Sequence, residues 1–149
     1  MRDDIAVHKD FHGALSFGLE FLEEQYGLDG MRAFLEGLAH TVYAPLVADL
    51  RERGLDALEE HWRAVFTIEG GDFELAMEGD VLILNVRRCP AIAHMREHRY
   101  AIAPHFCEHT RFVNDAICRA AGYASSVECD PEAGACVQKF WKDGGRQGA

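Results

Sequence analysis

Phe73-Glu74-Leu75-Ala76-Met77-Glu78-Gly79-Asp80-Val81-Leu82-Ile83-Leu84-Asn85-Val86 is the stretch in which the hydrophobic period changes. Phe73, Leu75 and Met77 alternate with mostly polar neighbours, Glu78-Gly79-Asp80 makes a turn, and the run from Val81 to Val86 is apolar and rich in β-branched residues. Alternation, turn and apolar run together predict a β-hairpin whose second strand is largely buried.

Upstream the period is that of a helix. Residues 4–26 place Phe11, Leu15, Leu19, Leu22 and Tyr26 at three- and four-residue steps, with Glu20, Glu23 and Glu24 opposite. A second helix is expected from Met31, after Asp29-Gly30, to Gly54, kinked or split by Pro45. A third carries Leu55, Leu58, Trp62, Val65 and Phe66 and ends near Gly70-Gly71.

Downstream, Pro90 opens a short helix over 90–98. A further helix follows His105–His109, with Thr110 as its expected cap and Gly122 as its stop. Phe112, Val113, Ala116, Ile117 and Ala120 form its buried stripe, flanked by Arg111, Asn114, Asp115 and Cys118. A last hairpin joins Tyr123–Cys129 to Ala135–Trp141 through the turn 130–134. The expectation is therefore an α+β domain: a helical N-terminal half (1–70), then a four-stranded antiparallel sheet made of two β-hairpins with two intervening helices (72–141). Residues 142–149 form a polar, Gly-rich tail. The helical half either covers the sheet or mediates homodimer formation.

A length of 149 residues suits one domain, and 48% hydrophobic residues provide for a core. The net charge of −10 is uneven: residues 1–80 carry 6 Lys/Arg against 18 Asp/Glu, and residues 81–149 carry 9 against 7. A chain so acidic lacks the field that collects phosphates, which argues against a nucleic-acid partner. Neither a signal peptide nor a membrane-spanning run is evident, so a cytoplasmic, non-membrane protein is expected. With five cysteines, an odd number, reduced thiols are expected rather than a disulfide framework. Asp72, Glu74 and Glu78 on the first strand and Glu59-Glu60 on the third helix read as a solvated acidic face.

All five cysteines lie after residue 88, and Cys89, His94, His98, His105, Cys107 and His109 fall within 21 residues. His94 and His98 share a helix face, and His105, Cys107 and His109 alternate. His94, His98, His105 and His109 are thus candidate metal ligands, and mixed nitrogen and sulfur donors would favour zinc or iron. The competing reading is catalytic. Cys107 lies just before a helix N-terminus, which favours the thiolate, and His105 or His109 could relay its proton. Cys129 and Cys136 face each other across the last hairpin if its loop holds six residues, and point to opposite faces if it holds five. Core packing is the favoured role for both, and Cys118 reads as buried and inert.

The order of landmarks resembles a known family. A hydrophobic strand ends in Arg88-Cys89-Pro90, Phe106-Cys107-Glu108 follows some seventeen residues on, and the terminal strand carries Gly134-x-Cys136 and Phe140. Over residues 72–141 this is similar to the L-2-amino-thiazoline-4-carboxylic acid hydrolases and their relatives. The resemblance implies a hydrolase acting on carbon–nitrogen bonds, which opens a small cyclic amidine or amide carboxylate. Cys89, Cys107 and Cys136 match family-like positions, and Arg88 or Arg111 would anchor the carboxylate. Two positions depart from the pattern: His109-Thr110 replaces acidic residues, and Gln138 replaces an aromatic one. The same order also resembles the vinyl-reductase-type domains, which implies a non-catalytic sensor of a small molecule or metal.

Overall fold

The computed structural model describes residues 8–144. Helix α1 spans Phe11–Val42, α2 Ala44–Arg53 and α3 Leu55–Ile68. Strands β1 (Asp72–Glu78) and β2 (Val81–Arg88) form the first hairpin. Helices α4 (Pro90–Glu97) and α5 (Glu108–Ala121) lead to the second hairpin, β3 (Tyr123–Asp130) and β4 (Ala135–Lys142). The α+β architecture is the one its hydrophobic periods predict.

Several boundaries differ from those expected. Residues 4–7 of the first expected helix lie outside the described residues, and α1 begins only at Phe11. Its break falls at Gly27, not at Asp29-Gly30. Gly27 takes φ 72° and ψ −179°, a backbone that side chains disfavour, and Gly30 remains helical. Pro45 splits the second expected helix: α1 ends at Val42, and the proline sits in the first turn of α2, where no amide donor is missed. Helix α5 starts before Thr110, because the Thr110 and Arg111 amides already donate to the Cys107 carbonyl. Cys107 therefore occupies the cap position. Its C-terminal stop is Gly122, as expected. Strand β4 includes Lys142, so the tail is shorter than expected, and residues 145–149 lie outside the described residues.

The sheet has the order β1-β2-β4-β3 and is antiparallel throughout. One face is turned to the helices. Leu82, Leu84 and Val86 of β2 and Gln138 and Phe140 of β4 are buried there. Ile83 and Asn85, which alternate with the β2 set, are not buried. On the other face Arg87 pairs with Asp72 and Glu74, which accounts for part of the acidic surface. Leu19, Leu35, Leu50, Leu58, Met95 and Ile117 complete a single core with the buried strand residues. Each such side chain contributes about 1.5–3 kcal/mol by leaving water. Helix α3 packs on β1, and α1 and α2 pack on α5, which lies against β3. Among the described residues, no helix is long and apolar enough to cross a membrane.

Candidate functional site

Between the sheet and the helices lies a pocket of about 210 Å³. It is walled by the start of α1, the end of α3, the β2–α4 junction, the first turns of α5, and the β3–β4 hairpin. Most of its surface is hydrocarbon and aromatic ring, from residues such as Leu15, Trp62, Phe66, Ile92, Phe106 and Val113. A larger groove of about 920 Å³ runs past α2 and α3 between Tyr43 and His61. It is open to solvent and has no thiol in its wall, so the enclosed pocket is the better candidate for specific binding.

Four of the five cysteines line the enclosed pocket: Cys89, Cys107, Cys129 and Cys136. Each arrives by a different local rule. Cys89 leaves β2 and caps α4, and its amide donates to the Gly134 carbonyl at 2.8 Å. Cys107 caps α5. Cys129 and Cys136 are direct partners in the β3–β4 register, so both point to the inner face, which resolves the loop-length alternative. Gly134 makes the tight turn possible. It takes φ +69°, and an added Cβ would stand 3.4 Å from Ile92.

Burial pushes the Cys89 thiol up, against the pull of the Ala91 and Ile92 amides at the start of α4. The Cys129 thiol beside Cys107 draws Cys107 below the ordinary thiol value, more than burial raises it. Cys129 itself is pushed up to about 11, chiefly by Cys107. Cys136 is also raised, by Cys129 and then by burial, although the Gln138 amide donates to its sulfur at 3.4 Å. The order of acidity is therefore set by neighbours, and Cys107 is the thiol that ionises most readily of the four. Cys118, the fifth, is fully buried, and burial pushes it up to about 12.

Of the expected histidines only His109 lines the pocket. Its Nδ1–H donates to the Phe106 carbonyl at 2.5 Å, and burial lowers its pKa. The neutral ring therefore keeps Nε2 as its basic atom. His105 points elsewhere, with Nδ1 2.5 Å from Glu23 Oε1. His94 and His98 stack on each other, ring centroids 4.1 Å apart, and His94 reaches Asp10 at 3.0 Å. The four histidines expected to share zinc or iron do not converge, because α4 turns His94 and His98 toward the start of α1 and away from the pocket. Among the described residues no group of three or more His, Cys, Asp or Glu side chains is arranged to hold a metal ion.

Neither expected carboxylate anchor lines the pocket. Arg88 is exposed at the end of β2, in register with Asp72. Arg111 pairs with Glu108 and donates to the Val127 carbonyl at 2.8 Å. Asn114, expected on the flanking face of α5, is buried in the wall and donates to Gln138 Oε1 at 2.8 Å.

Sequence reading missed one largely buried polar pair of the site. His12 Nε2 lies 2.6 Å from Glu69 Oε1, with side chains 9% and 12% exposed. His12 Nδ1 and the Trp62 indole nitrogen are buried and have no hydrogen-bond partner among the described residues. The signal was present: His12 falls on the stripe of Leu15 and Leu19, where a solvated histidine does not belong.

No family model, curated protein or solved structure matches the chain. Function rests on the chemistry of the pocket.

Proposed function

We propose that this protein binds a compact, mostly apolar small molecule in the enclosed pocket, with a cyclic amidine or amide that carries no carboxylate as the favoured class. The observation that carries the reading is the pocket itself: a mostly apolar wall built by five segments of the chain, whose polar groups include four thiols, His12–Glu69, His109 and the Asn114–Gln138 amides. A volume of about 210 Å³ corresponds to roughly seven waters at about 30 Å³ each, which suits a fragment-sized ligand. The wall contains no Lys or Arg and does contain Glu69 and Asp130, so a free carboxylate on the ligand would be repelled. Five free thiols support a cytosolic setting.

A second reading, hydrolysis of that ligand, is favoured by one observation. Cys107, the most readily ionised thiol of the wall, and neutral His109, with its basic Nε2, stand on the same wall around the start of α5. The landmark resemblance to cyclic-amidine hydrolases supports it. In that case Cys107 attacks the carbon between the heteroatoms, and His109 carries the proton.

Titration with 2-amino-2-thiazoline and with its 4-carboxylate, read by thermal shift, tests binding. The carboxylate-free ring should stabilise the fold, by about 2.7 kcal/mol at a hundred times its dissociation constant, and the carboxylate should do so less. Val113→Phe, which fills the pocket, should abolish the shift. An equal shift in that variant would place the ligand elsewhere. Turnover that survives Cys107→Ala would remove the hydrolytic reading and leave binding intact.

A further inference from the structure

The thiols on the pocket wall form a connected series. Cys89, Cys107, Cys129 and Cys136 share the wall of one pocket, Cys129 is the direct cross-strand partner of Cys136, and its thiol is the neighbour that most influences Cys107. Residues directly opposed in an antiparallel pair have Cα atoms about 4.5–5.5 Å apart, inside the span that a disulfide bridges. Cys129 and Cys136 are such a pair. The Arg111 guanidinium pulls the Cys129 thiol down, while its partner Glu108 opposes ionisation of Cys107. Ligand binding and amidine hydrolysis need one thiol at most. They leave unexplained why a second and a third stand in line behind it.

We infer that the pocket also reduces small organic hydroperoxides, with Cys107 as the attacking thiol, Cys129 as the resolving thiol and Cys136 as the thiol that takes over the disulfide. This rests on the pocket admitting small apolar molecules, the reading proposed above. In the first step the Cys107 thiolate attacks the terminal oxygen of ROOH. The S–O bond forms, the O–O bond breaks, and ROH leaves after taking up one proton. Cys107 is now a sulfenic acid. In the second step Cys129 attacks the Cys107 sulfur, the S–O bond breaks, and water leaves with the thiol proton. In the third step Cys136 attacks Cys129, so the disulfide moves to the Cys129–Cys136 pair and Cys107 returns as a thiol. Two equivalents of a low-molecular-weight thiol then reduce that disulfide and are themselves oxidised to their own disulfide.

The apolar wall sets the substrate class. An organic hydroperoxide buries its hydrocarbon there, and hydrogen peroxide gains nothing from it. The shift of the disulfide to the hairpin frees Cys107 for a second turnover before any external thiol reaches it. Cys118, fully buried and outside the pocket wall, has no part in the cycle.

The test uses the full reduced chain with cumene hydroperoxide, hydrogen peroxide and dithiothreitol. The expected results are faster consumption of cumene hydroperoxide than of hydrogen peroxide, and a Cys129–Cys136 disulfide in the peptide map of oxidised protein. Cys107→Ser should lose consumption. With peroxide alone and no dithiothreitol, Cys129→Ser should accumulate a dimedone-trapped sulfenate on Cys107, and Cys136→Ser should stop at a Cys107–Cys129 disulfide. Oxidation spread evenly over the cysteines, or consumption unchanged in Cys107→Ser, would overturn the proposal. The thermal shift with 2-amino-2-thiazoline, measured on the parent chain, separates the two readings: a shift with no peroxide consumption would refute the peroxide chemistry and leave the binding pocket standing.

Discussion

His12 at the start of α1 and Glu69 at the end of α3 meet at 2.6 Å across the wall of the pocket, although 57 residues separate them in the chain. The pair ties the two ends of the helical half together beside the β2–α4 junction. Both side chains are close to fully buried, so each depends on the other for a partner. Glu69→Ala should cost about 1–3 kcal/mol, the penalty of a buried polar group left unpaired. Urea denaturation of the variant checks this. A midpoint equal to that of the parent chain would show that the pair contributes nothing.

The Asn114–Gln138 amide pair should show a sign that depends on how it is removed. Asn114→Ala leaves the Gln138 carbonyl oxygen without its donor and should cost about 1–3 kcal/mol. The double replacement Asn114→Leu with Gln138→Met removes both partners and should cost less than the single one. A double variant as weak as the sum of its parts would mean that packing, not the hydrogen bond, dominates at this position.

Acid should weaken the fold through its buried histidines. Burial lowers the pKa of His109 and of His61 in the folded chain. The unfolded chain binds those protons at the ordinary value of about 6.5. Stability is therefore fully present above about 6.5 and is lost as the pH falls from there through the folded values. Thermal midpoints measured from pH 7.5 to 5 should drop, as about half-unit steps would resolve. Replacing His109 with Gln should flatten the slope, and an unchanged slope would remove His109 as its source.

Alkali should act through the thiols in the opposite sense. Cys89, Cys118, Cys129 and Cys136 are all raised in the folded chain. Their contribution is complete below the ordinary thiol value and is lost as the pH rises through the folded values. Limited alkylation with iodoacetamide should mark Cys107 first and Cys118 last, because only Cys107 is lowered and Cys118 is fully buried. Peptide mapping gives the order directly, and early label on Cys118 would contradict it.

The hydrophobic periods carried most of the fold. Alternation around Phe73 to Val86 marked the first hairpin, and Gly122 marked the end of α5. Local chemistry misled where two signals competed. Gly27 broke α1 in place of the more turn-like Asp29-Gly30, and Cys107 took the cap that a threonine three residues on was expected to fill. The site was legible only in part. Cys89, Cys107 and His109 stand on the pocket wall because each lies at or near the start of a helix that faces the sheet. His12, Glu69 and Trp62 come from helices whose pairing no local pattern specifies. Adjacency in the chain also made His94, His98 and His105 look like partners of His109, yet α4 and the loop after it direct them outward.

The strand order has a kinetic meaning. Strand β2 pairs with β4 and not with β3, with Val86 opposite Cys136, so the central ladder closes only after α4, α5 and β3 have been made and placed. Such non-local pairing bears the loop entropy before any contact rewards it. During synthesis the two hairpins exist as separate pieces, and the cavity has no floor until the last strand leaves the ribosome. Any molecule that occupies this pocket therefore meets it only after β4 has joined β2.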